Sequence, residues 1–268
     1  MSAVNSVKKQ SSLKQVRTRF SAKNLTSAAG LIPIYRFWHY LGGEDWINQN
    51  MGKLKHHNAA YSVGRIITIL ILGFLRGAKH ISHLHLLGLD SALRSLWDWV
   101  QFPVDTTISR TLARFGQGGA IKLADLSQHL RQQVWNRSWF GKVTLDLDST
   151  VETVYGHQEG AAKGYNPTHR GKKSYHPLLA FIAETTEVLL GWLRPGDTHT
   201  SNGAIEFLRE ALARLPKQVW KVIVRADAGF FSETFLKFLE CTTVAGYVIK
   251  CKMKGYKRFC EEHAHWRK

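Results

Sequence analysis

The segment 142–148 constrains the fold more than any other part of the sequence, because its apolar and polar residues alternate without interruption. Alternation with a period of two is typical of a β-strand that has one buried and one exposed face. The pattern therefore predicts a strand at 142–148 and excludes a chain built from helices alone. The expected buried residues are Val143, Leu145 and Leu147, and the expected exposed residues are Thr144, Asp146 and Asp148.

The residues after this strand predict four more strands and two helices. Residues 156–175 are rich in glycine and basic residues and predict a long loop or loose hairpin. Three strands with short connections favour an antiparallel meander, and two later strands reached through helices favour parallel crossovers. The fold class is a mixed α/β fold whose five-stranded sheet has the ribonuclease-H-like order, which several other mixed folds share. The predicted strands are 177–183, 188–194, 220–225 and 246–251, and the predicted helices are 203–215 and 232–240.

The chain before residue 141 has helical periodicity and a basic, polar beginning. We expect a flexible arm at 1–28, a helical DNA-binding region at 29–140 and an incomplete ribonuclease-H-like catalytic domain at 141–268. A helix-turn-helix at 91–115 is one interpretation of the helical region, and an ordinary helical bundle is the other. The apolar run at 66–75 is too short for a bilayer, which needs roughly 20 residues, and predicts a buried helix rather than a membrane anchor.

Charge indicates the class of partner. The chain has 37 Lys and Arg against 20 Asp and Glu, a net charge of +17. Such an excess favours a polyanionic partner, most simply nucleic acid, although a merely basic or ribosome-associated protein has the same composition. Three cysteines are too few for a disulfide framework, and the first residues lack a secretory signal. These features predict a cytoplasmic protein.

Two aspartates stand near the ends of strands that the predicted order makes neighbours. Asp148 lies toward the end of the first strand, with Asp146 on the same face, and Asp227 follows the fourth strand. If these strands are adjacent, the carboxylates meet at one edge of the sheet. Hard carboxylates without cysteine or organised histidine suit Mg²⁺ or Mn²⁺, which support phosphoryl transfer. In the alternative interpretation, Asp146 and Asp148 face water and Asp227 caps a helix.

Five motifs, in this order, resemble the DDE-domain transposases of bacterial insertion sequences. They are LDLDST (145–150), YGHQEGAAKGYNP (155–167), KSYHPLLAF (173–181), LRPGDTHTSNGA (193–204) and VRADAGF (224–230). The helical part from Gly30 to residue 115 resembles the N-terminal region of the same group. The resemblance implies that Asp148 is the first acidic residue, with Asp146 as its fallback, and that Asp227 is the second. It also implies Mg²⁺-dependent nicking of DNA and transfer of the 3′-hydroxyl.

The resemblance further implies double-stranded DNA as partner, both at the element ends and at the target, and it allows a homodimer. A basic loop directly after the first acidic strand is expected to contact phosphates, with a solvated loop as the alternative. The helix after Asp105 carries two arginines four residues apart that could meet the DNA backbone or a groove. The predicted DNA contacts are Lys163, Arg170, Lys172 and Lys173 in the loop, and Arg110 and Arg114 in the helix.

The sequence departs from the family at the third acidic residue, a glutamate on a helix after the fifth strand. The chain ends seventeen residues after Cys251, and Glu261 and Glu262 come early and lack the expected surroundings. We interpret both glutamates as surface charges and predict a truncated transposase that is weakly active or inactive alone. A non-catalytic DNA-binding remnant and another ribonuclease-H-like nuclease remain as alternatives.

Overall fold

A computed structural model of the protein describes residues 25–55, 59–137, 141–242, 245–251 and 255–263. The first 24 residues, which form most of the predicted arm, lie outside the described residues. The helices are α1 (Leu31–Tyr40), α2 (Gly43–Met51), α3 (Val63–Leu75), α4 (His85–Leu89), α5 (Ser91–Leu96), α6 (Asp105–Ala113), α7 (Gly116–Trp135), α8 (Ala204–Ala213), α9 (Glu233–Cys241) and α10 (Tyr256–His263). No helix in these ranges combines the length and the apolar character needed to span a bilayer.

The chain divides into two compact units, Met1–Lys122 and Leu123–Lys268. The division falls within α7, whereas the sequence pattern places it at 140/141, where helical periodicity changes to alternation. The structural reason is that Trp135, in the last turn of α7, is buried in the core of the second unit. The functions predicted for the arm, the helical region and the catalytic domain stay predictions.

The first unit is a bundle of short helices around α3. Ser62 caps α3 by accepting a hydrogen bond from the backbone N–H of Arg65 at 3.1 Å, and Ile66 and Ile69 are almost completely buried. Residues 97–104 separate α5 from α6, a connection longer than the turn of three or four residues that joins the helices of a helix-turn-helix. The helix-turn-helix interpretation of 91–115 is therefore wrong, and the helical bundle is what the structure has.

The second unit is built on two sheets. The strands are β1 (Lys142–Ser149), β2 (Glu152–Thr153), β3 (Ala162–Lys163), β4 (Lys173–Tyr175), β5 (Leu178–Ile182), β6 (Glu187–Trp192), β7 (Lys221–Ala226) and β8 (Gly246–Ile249). The large sheet has the order β6-β5-β1-β7-β8, with β5 antiparallel and β7 parallel to β1. This confirms the predicted mixed five-stranded, ribonuclease-H-like sheet. A small sheet of order β2-β4-β3 forms where the sequence predicts a loop or loose hairpin.

One face of the large sheet, here called the covered face, packs against helices. Its strand residues, such as Leu145 and Val224, are fully buried against Phe207 of α8 and Phe235 of α9. The opposite face, here called the open face, carries Asp146, Asp148 and Arg225 in the strands and Val248 at the edge. The side chain of Val248 is 65% exposed. The alternation of β1 therefore separates an apolar support from a polar, solvent-exposed surface.

Candidate active site

The register between β1 and β7 brings the two predicted catalytic aspartates to neighbouring strands of the sheet. Asp146 pairs with Arg225 and Leu147 pairs with Ala226, and Asp148 and Asp227 each follow that last pair by one residue. Adjacent strands lie about 4.8 Å apart, so the two aspartates follow paired residues at the same end of neighbouring strands. Because β7 ends at Ala226, Asp227 stands just beyond the strand, as the sequence predicts.

Both carboxylates are exposed, and each is oriented by a local hydrogen bond. An Oδ1 atom of Asp148 accepts from the backbone N–H of Ser149 at 2.8 Å, and Oδ1 of Asp227 accepts from the N–H of Gly229 at 2.9 Å. The second oxygen of each has no hydrogen-bond donor among the residues that the structure describes. Mg²⁺ in proteins is held by one or two carboxylates together with water and substrate phosphate, and these two side chains fit that chemistry.

Asp146, the fallback ligand, is already paired. The Nε and Nη2 atoms of Arg225 each lie 2.5 Å from one of its carboxylate oxygens, and this hydrogen bonding raises the pKa of Arg225 above its ordinary value. The guanidinium therefore occupies the oxygens that a metal would need. Sequence reasoning missed this pair, although Asp146 and Arg225 have the same separation along the chain as Asp148 and Asp227.

A third ligand does not join the two aspartates in the described part of the chain. No three side chains of His, Cys, Asp or Glu there are grouped closely enough to hold a metal ion. Glu261 and Glu262 lie on α10 and are exposed, and Glu262 accepts a hydrogen bond from Arg258 at 2.7 Å. The described residues thus bring two carboxylates to the edge of the sheet.

A cavity of about 660 Å³ opens beside Asp227. Its lining includes Ser149, Tyr165, His176 and Thr200, which come from four different segments of the second unit. Tyr165, one of the lining residues, is 79% exposed. This size falls within the range of small-ligand pockets. Asp227 thus lies both at the edge of the sheet and in the lining of the cavity.

Arg194 fixes the loop 195–203, which forms one side of the cavity. Its guanidinium is buried and donates to the backbone carbonyls of His176 at 3.0 Å, His199 at 3.2 Å and Asn202 at 2.6 Å. Burial lowers the pKa of Arg194 below its ordinary value. The Arg194 side chain therefore stabilises the conformation of loop 195–203 through hydrogen bonds to main-chain oxygens.

Two glycines allow the LRPGDTHTSNGA and GYNP motifs to touch. A Cβ atom on Gly164 would lie 1.9 Å from the carbonyl oxygen of Gly196, and one on Gly196 would lie 2.3 Å from Oγ of Ser174. Only glycine permits this approach of the two backbones. The buried side chain of Asn166 completes the turn, because its Oδ1 accepts from the N–H of His169 at 2.8 Å.

The structure collects the predicted basic loop into one hairpin, formed by β3 and β4 of the small sheet. Lys163 and Lys173 are directly opposite each other in the register, and Arg170 and Lys172 lie in the connection between the strands. All four side chains are exposed. Like charges directly across two strands repel each other. A bound anion such as a phosphate would offset that repulsion.

Arg110 and Arg114 lie in the first unit, at the end of α6, and both are exposed. Arg114 donates to the carbonyl of Leu54 at 3.3 Å. Burial, and in second place the charge of Arg114, lower the pKa of Lys55 below its ordinary value. The first unit therefore carries its own group of cations, Lys55 and Arg114, with Arg110 nearby on the same helix.

The order and directions of the strands in the large sheet define a ribonuclease-H-like domain. The family model described as Transposase DDE domain group 1 matches residues 8–260. The chain therefore belongs to this family of transposase DDE domains, and membership implies the use of a divalent metal ion. Among curated proteins, no match to the chain was found.

Solved structures similar to this chain include transposase complexes. A piggyBac transposase synaptic complex with hairpin DNA has 14% identity and a TM-score of 0.43, covering 91% of this chain and 55% of that one. A Drosophila P element transposase strand transfer complex has 13% identity and a TM-score of 0.36, covering 79% and 42%. A Mos1 mariner paired end complex with Mn has 11% identity and a TM-score of 0.28, covering 83% and 78%. The chain thus spans about half the length of the piggyBac protein.

Proposed function

We propose that this protein is the transposase of a bacterial insertion sequence, which nicks DNA at the element ends and joins the 3′-hydroxyl to target DNA. The observation that supports this proposal most strongly is the parallel pairing of β1 with β7, because Asp148 and Asp227 each follow its last pair, Leu147 with Ala226, by one residue. Asp148 and Asp227 would hold Mg²⁺ or Mn²⁺. The bound metal supplies activation of the attacking oxygen and stabilisation of the leaving oxygen.

The protein's own residues prepare the two carboxylates for this task. The N–H group of Ser149 donates to one oxygen of Asp148, and the N–H group of Gly229 donates to one oxygen of Asp227. The ion pair of Asp146 with Arg225 joins β1 to β7 two residues before the site. Because it bridges the same two strands in the same register, it opposes sliding of one aspartate past the other.

The proposed partner is double-stranded DNA, at the element ends and at the target. Lys163, Arg170, Lys172 and Lys173 would contact phosphates close to the scissile bond, and Arg110 and Arg114 would contact backbone or groove from the helical region. Such phosphate contacts release counterions, so affinity should fall steeply as salt increases. A DNA-bound location in the cytoplasm, with the nucleoid, and a homodimer that pairs two element ends belong to the same proposal.

Strand cleavage by this chain alone is proposed to be weak. Two carboxylates, not three, meet in the described residues, and two-metal phosphoryl transfer requires both ions to be positioned. The same observation supports a second candidate function, a DNA-binding transposase remnant that occupies element ends without cutting them. The two candidates agree on DNA binding and differ on cleavage.

A nicking assay on duplexes that contain the DNA flanking the gene tests the proposal, in Mg²⁺ or Mn²⁺. We expect weak nicking that falls at least about 100-fold in Asp148→Asn and in Asp227→Asn, since each removes a metal-binding oxygen. Asp45→Asn, an exposed carboxylate on α2, is the matched control and should cut as the unchanged protein does.

The outcomes separate the candidates. Nicking that both site variants retain would overturn the proposed active site. Specific binding to the flanking DNA without any nicking identifies the non-catalytic remnant. A preference for branched or RNA–DNA hybrid duplexes over the flanking DNA identifies a different ribonuclease-H-like nuclease.

A further inference from the structure

A line of hydrogen bonds runs along the wall of the cavity beside Asp227. His176 Nδ1 lies 2.6 Å from the carbonyl oxygen of Thr198, and its Nε2 lies 3.5 Å from the Thr200 hydroxyl. The Thr200 hydroxyl in turn lies 3.2 Å from the hydroxyl of Ser149. The line therefore connects an imidazole to the residue that directly follows Asp148, and holding a metal ion requires none of its members.

The carbonyl at one end requires a hydrogen on Nδ1 of His176, because a carbonyl can only accept. In the tautomer that has its hydrogen on Nδ1, Nε2 is an acceptor. The Thr200 hydroxyl then donates to Nε2 and accepts from the hydroxyl of Ser149. Ser149 has used its own hydrogen, so its oxygen presents lone pairs and no hydrogen to a ligand in the cavity.

The position of this acceptor is held firmly. Thr200 is 8% exposed, and Arg194 donates to its carbonyl at 3.4 Å and to the carbonyls of neighbouring residues. A Cβ atom on Gly229 would lie 3.0 Å both from Oδ1 of Asp227 and from the methyl carbon of Thr200. Thr200 and Asp227 thus flank the same glycine, so the hydrogen-bonded line runs beside the residue proposed to bind the metal.

We propose that Ser149, oriented by Thr200 and His176, accepts a hydrogen bond from the terminal 3′-hydroxyl of a DNA strand in this cavity. This inference rests on the proposed function, and it names the part of the DNA that the cavity selects. Phosphate and ring oxygens of DNA are acceptors and cannot bond to an acceptor, whereas base N–H groups and the hydroxyl of a strand end are donors. Of these donors, the 3′-hydroxyl is the group that the proposed reaction brings to Asp148 and Asp227. A cavity of about 660 Å³ has room for a terminal nucleoside.

Binding of three otherwise identical nicked duplexes tests this inference. The strand end at the nick carries a 3′-hydroxyl, a 3′-hydrogen or a 3′-phosphate, and affinity is measured by fluorescence anisotropy with and without Mg²⁺. The unchanged protein should prefer the 3′-hydroxyl over the 3′-hydrogen by about 3- to 10-fold, the effect of one neutral hydrogen bond. The 3′-phosphate, which offers mainly acceptors, should bind no better than the 3′-hydrogen.

Variants separate the hydrogen-bond line from general structural effects. Ser149→Ala and Thr200→Val should lose the preference for the 3′-hydroxyl, and Thr200→Ser, which restores a hydroxyl, should regain it. Thr198→Val is the matched control, because it removes a hydroxyl from the same cavity lining and keeps the carbonyl that bonds to His176. His176→Asn retains an N–H toward that carbonyl but lacks Nε2, and should reduce the preference.

The outcomes distinguish failure of this inference from failure of the proposed function. Equal affinity of the unchanged protein for all three duplexes overturns the inference and leaves the proposed function intact. A protein that binds none of them overturns both. Loss of the preference in Thr198→Val as much as in Thr200→Val also overturns the inference, since the effect would then come from the cavity lining in general. If Thr200→Val fails to fold, the Ser149→Ala and Thr200→Ser results decide.

Discussion

The covered face and the open face of the large sheet have different roles in building the candidate site. On the covered face, Leu145 and Val224 are inaccessible to solvent and pack against α8 and α9. On the open face, Asp146 and Arg225 pair across β1 and β7, and Val248 is largely exposed. β1 and β7 carry residues of both faces, and Val248 lies on the neighbouring strand β8. Apolar packing on the covered face therefore fixes the positions of the strands. The open face and the strand ends can then carry charged side chains.

The largest effect is expected from the centre of the covered face. Phe207→Ala on α8 removes a ring that is fully buried against the strands, and should destabilise the second unit by about 3–5 kcal/mol. Urea unfolding followed by circular dichroism measures this change. A loss below about 1 kcal/mol would mean that α8 does not support the strands as described.

A matched pair of valines compares the two faces directly. Val224→Ala on the covered face should cost about 2 kcal/mol, because two methyl groups leave a closed core. Val248→Ala, the same change on the open face, should stay within about 0.5 kcal/mol. Similar losses at both positions, measured by the same unfolding experiment, would show that the open face is buried in solution.

A smaller loss of stability is expected when the N-cap of α9, a helix on the covered face, is removed. The Ser232 hydroxyl accepts from the N–H of Phe235 at 3.4 Å and caps this helix. Ser232→Ala should therefore lower the free energy of unfolding by about 1 kcal/mol. Ser232→Asp, which also caps helices well, should restore the free energy of unfolding. If it does not, the Ser232 hydroxyl does not stabilise α9 as a cap.

The smallest effect on stability is expected from the open-face ion pair. Arg225→Met removes the partner of Asp146, but both side chains are exposed and water screens them. The unfolding transition should move less than in any of the changes above, and adding Asp146→Asn should have no further effect. A loss comparable with that of Val224→Ala would give the pair a larger structural role than its exposure indicates.

Much of this architecture can be predicted from the sequence, for physical reasons that differ between elements. The alternation at 142–148 predicts β1 and its two faces, and the order of later elements predicts the mixed sheet and the adjacency of β1 and β7. These features follow from periodicity and connection length, which are local. The pairing of Asp146 with Arg225 was also within reach, because these two residues have the same separation along the chain as Asp148 and Asp227.

The cavity could not be predicted in the same way. The small sheet formed by β2, β3 and β4 has strands of two or three residues, too short to show periodicity. The contacts of Arg194 and the line from His176 to Ser149 depend on how two loops meet at Gly164 and Gly196. Such contacts depend on loop geometry across segments that are distant in sequence, and no local pattern encodes them.

Mn²⁺ binding, measured by electron paramagnetic resonance of free Mn²⁺ during titration, tests the central claim most directly. The unchanged protein should bind Mn²⁺, and Asp148→Asn and Asp227→Asn should each weaken binding by at least the roughly 10- to 100-fold that loss of an outer hydrogen-bond partner causes. Asp146→Asn, whose oxygens Arg225 already occupies, should retain nearly full affinity. If instead Asp146→Asn abolishes binding while Asp148→Asn and Asp227→Asn leave it unchanged, Asp148 and Asp227 do not form the metal site.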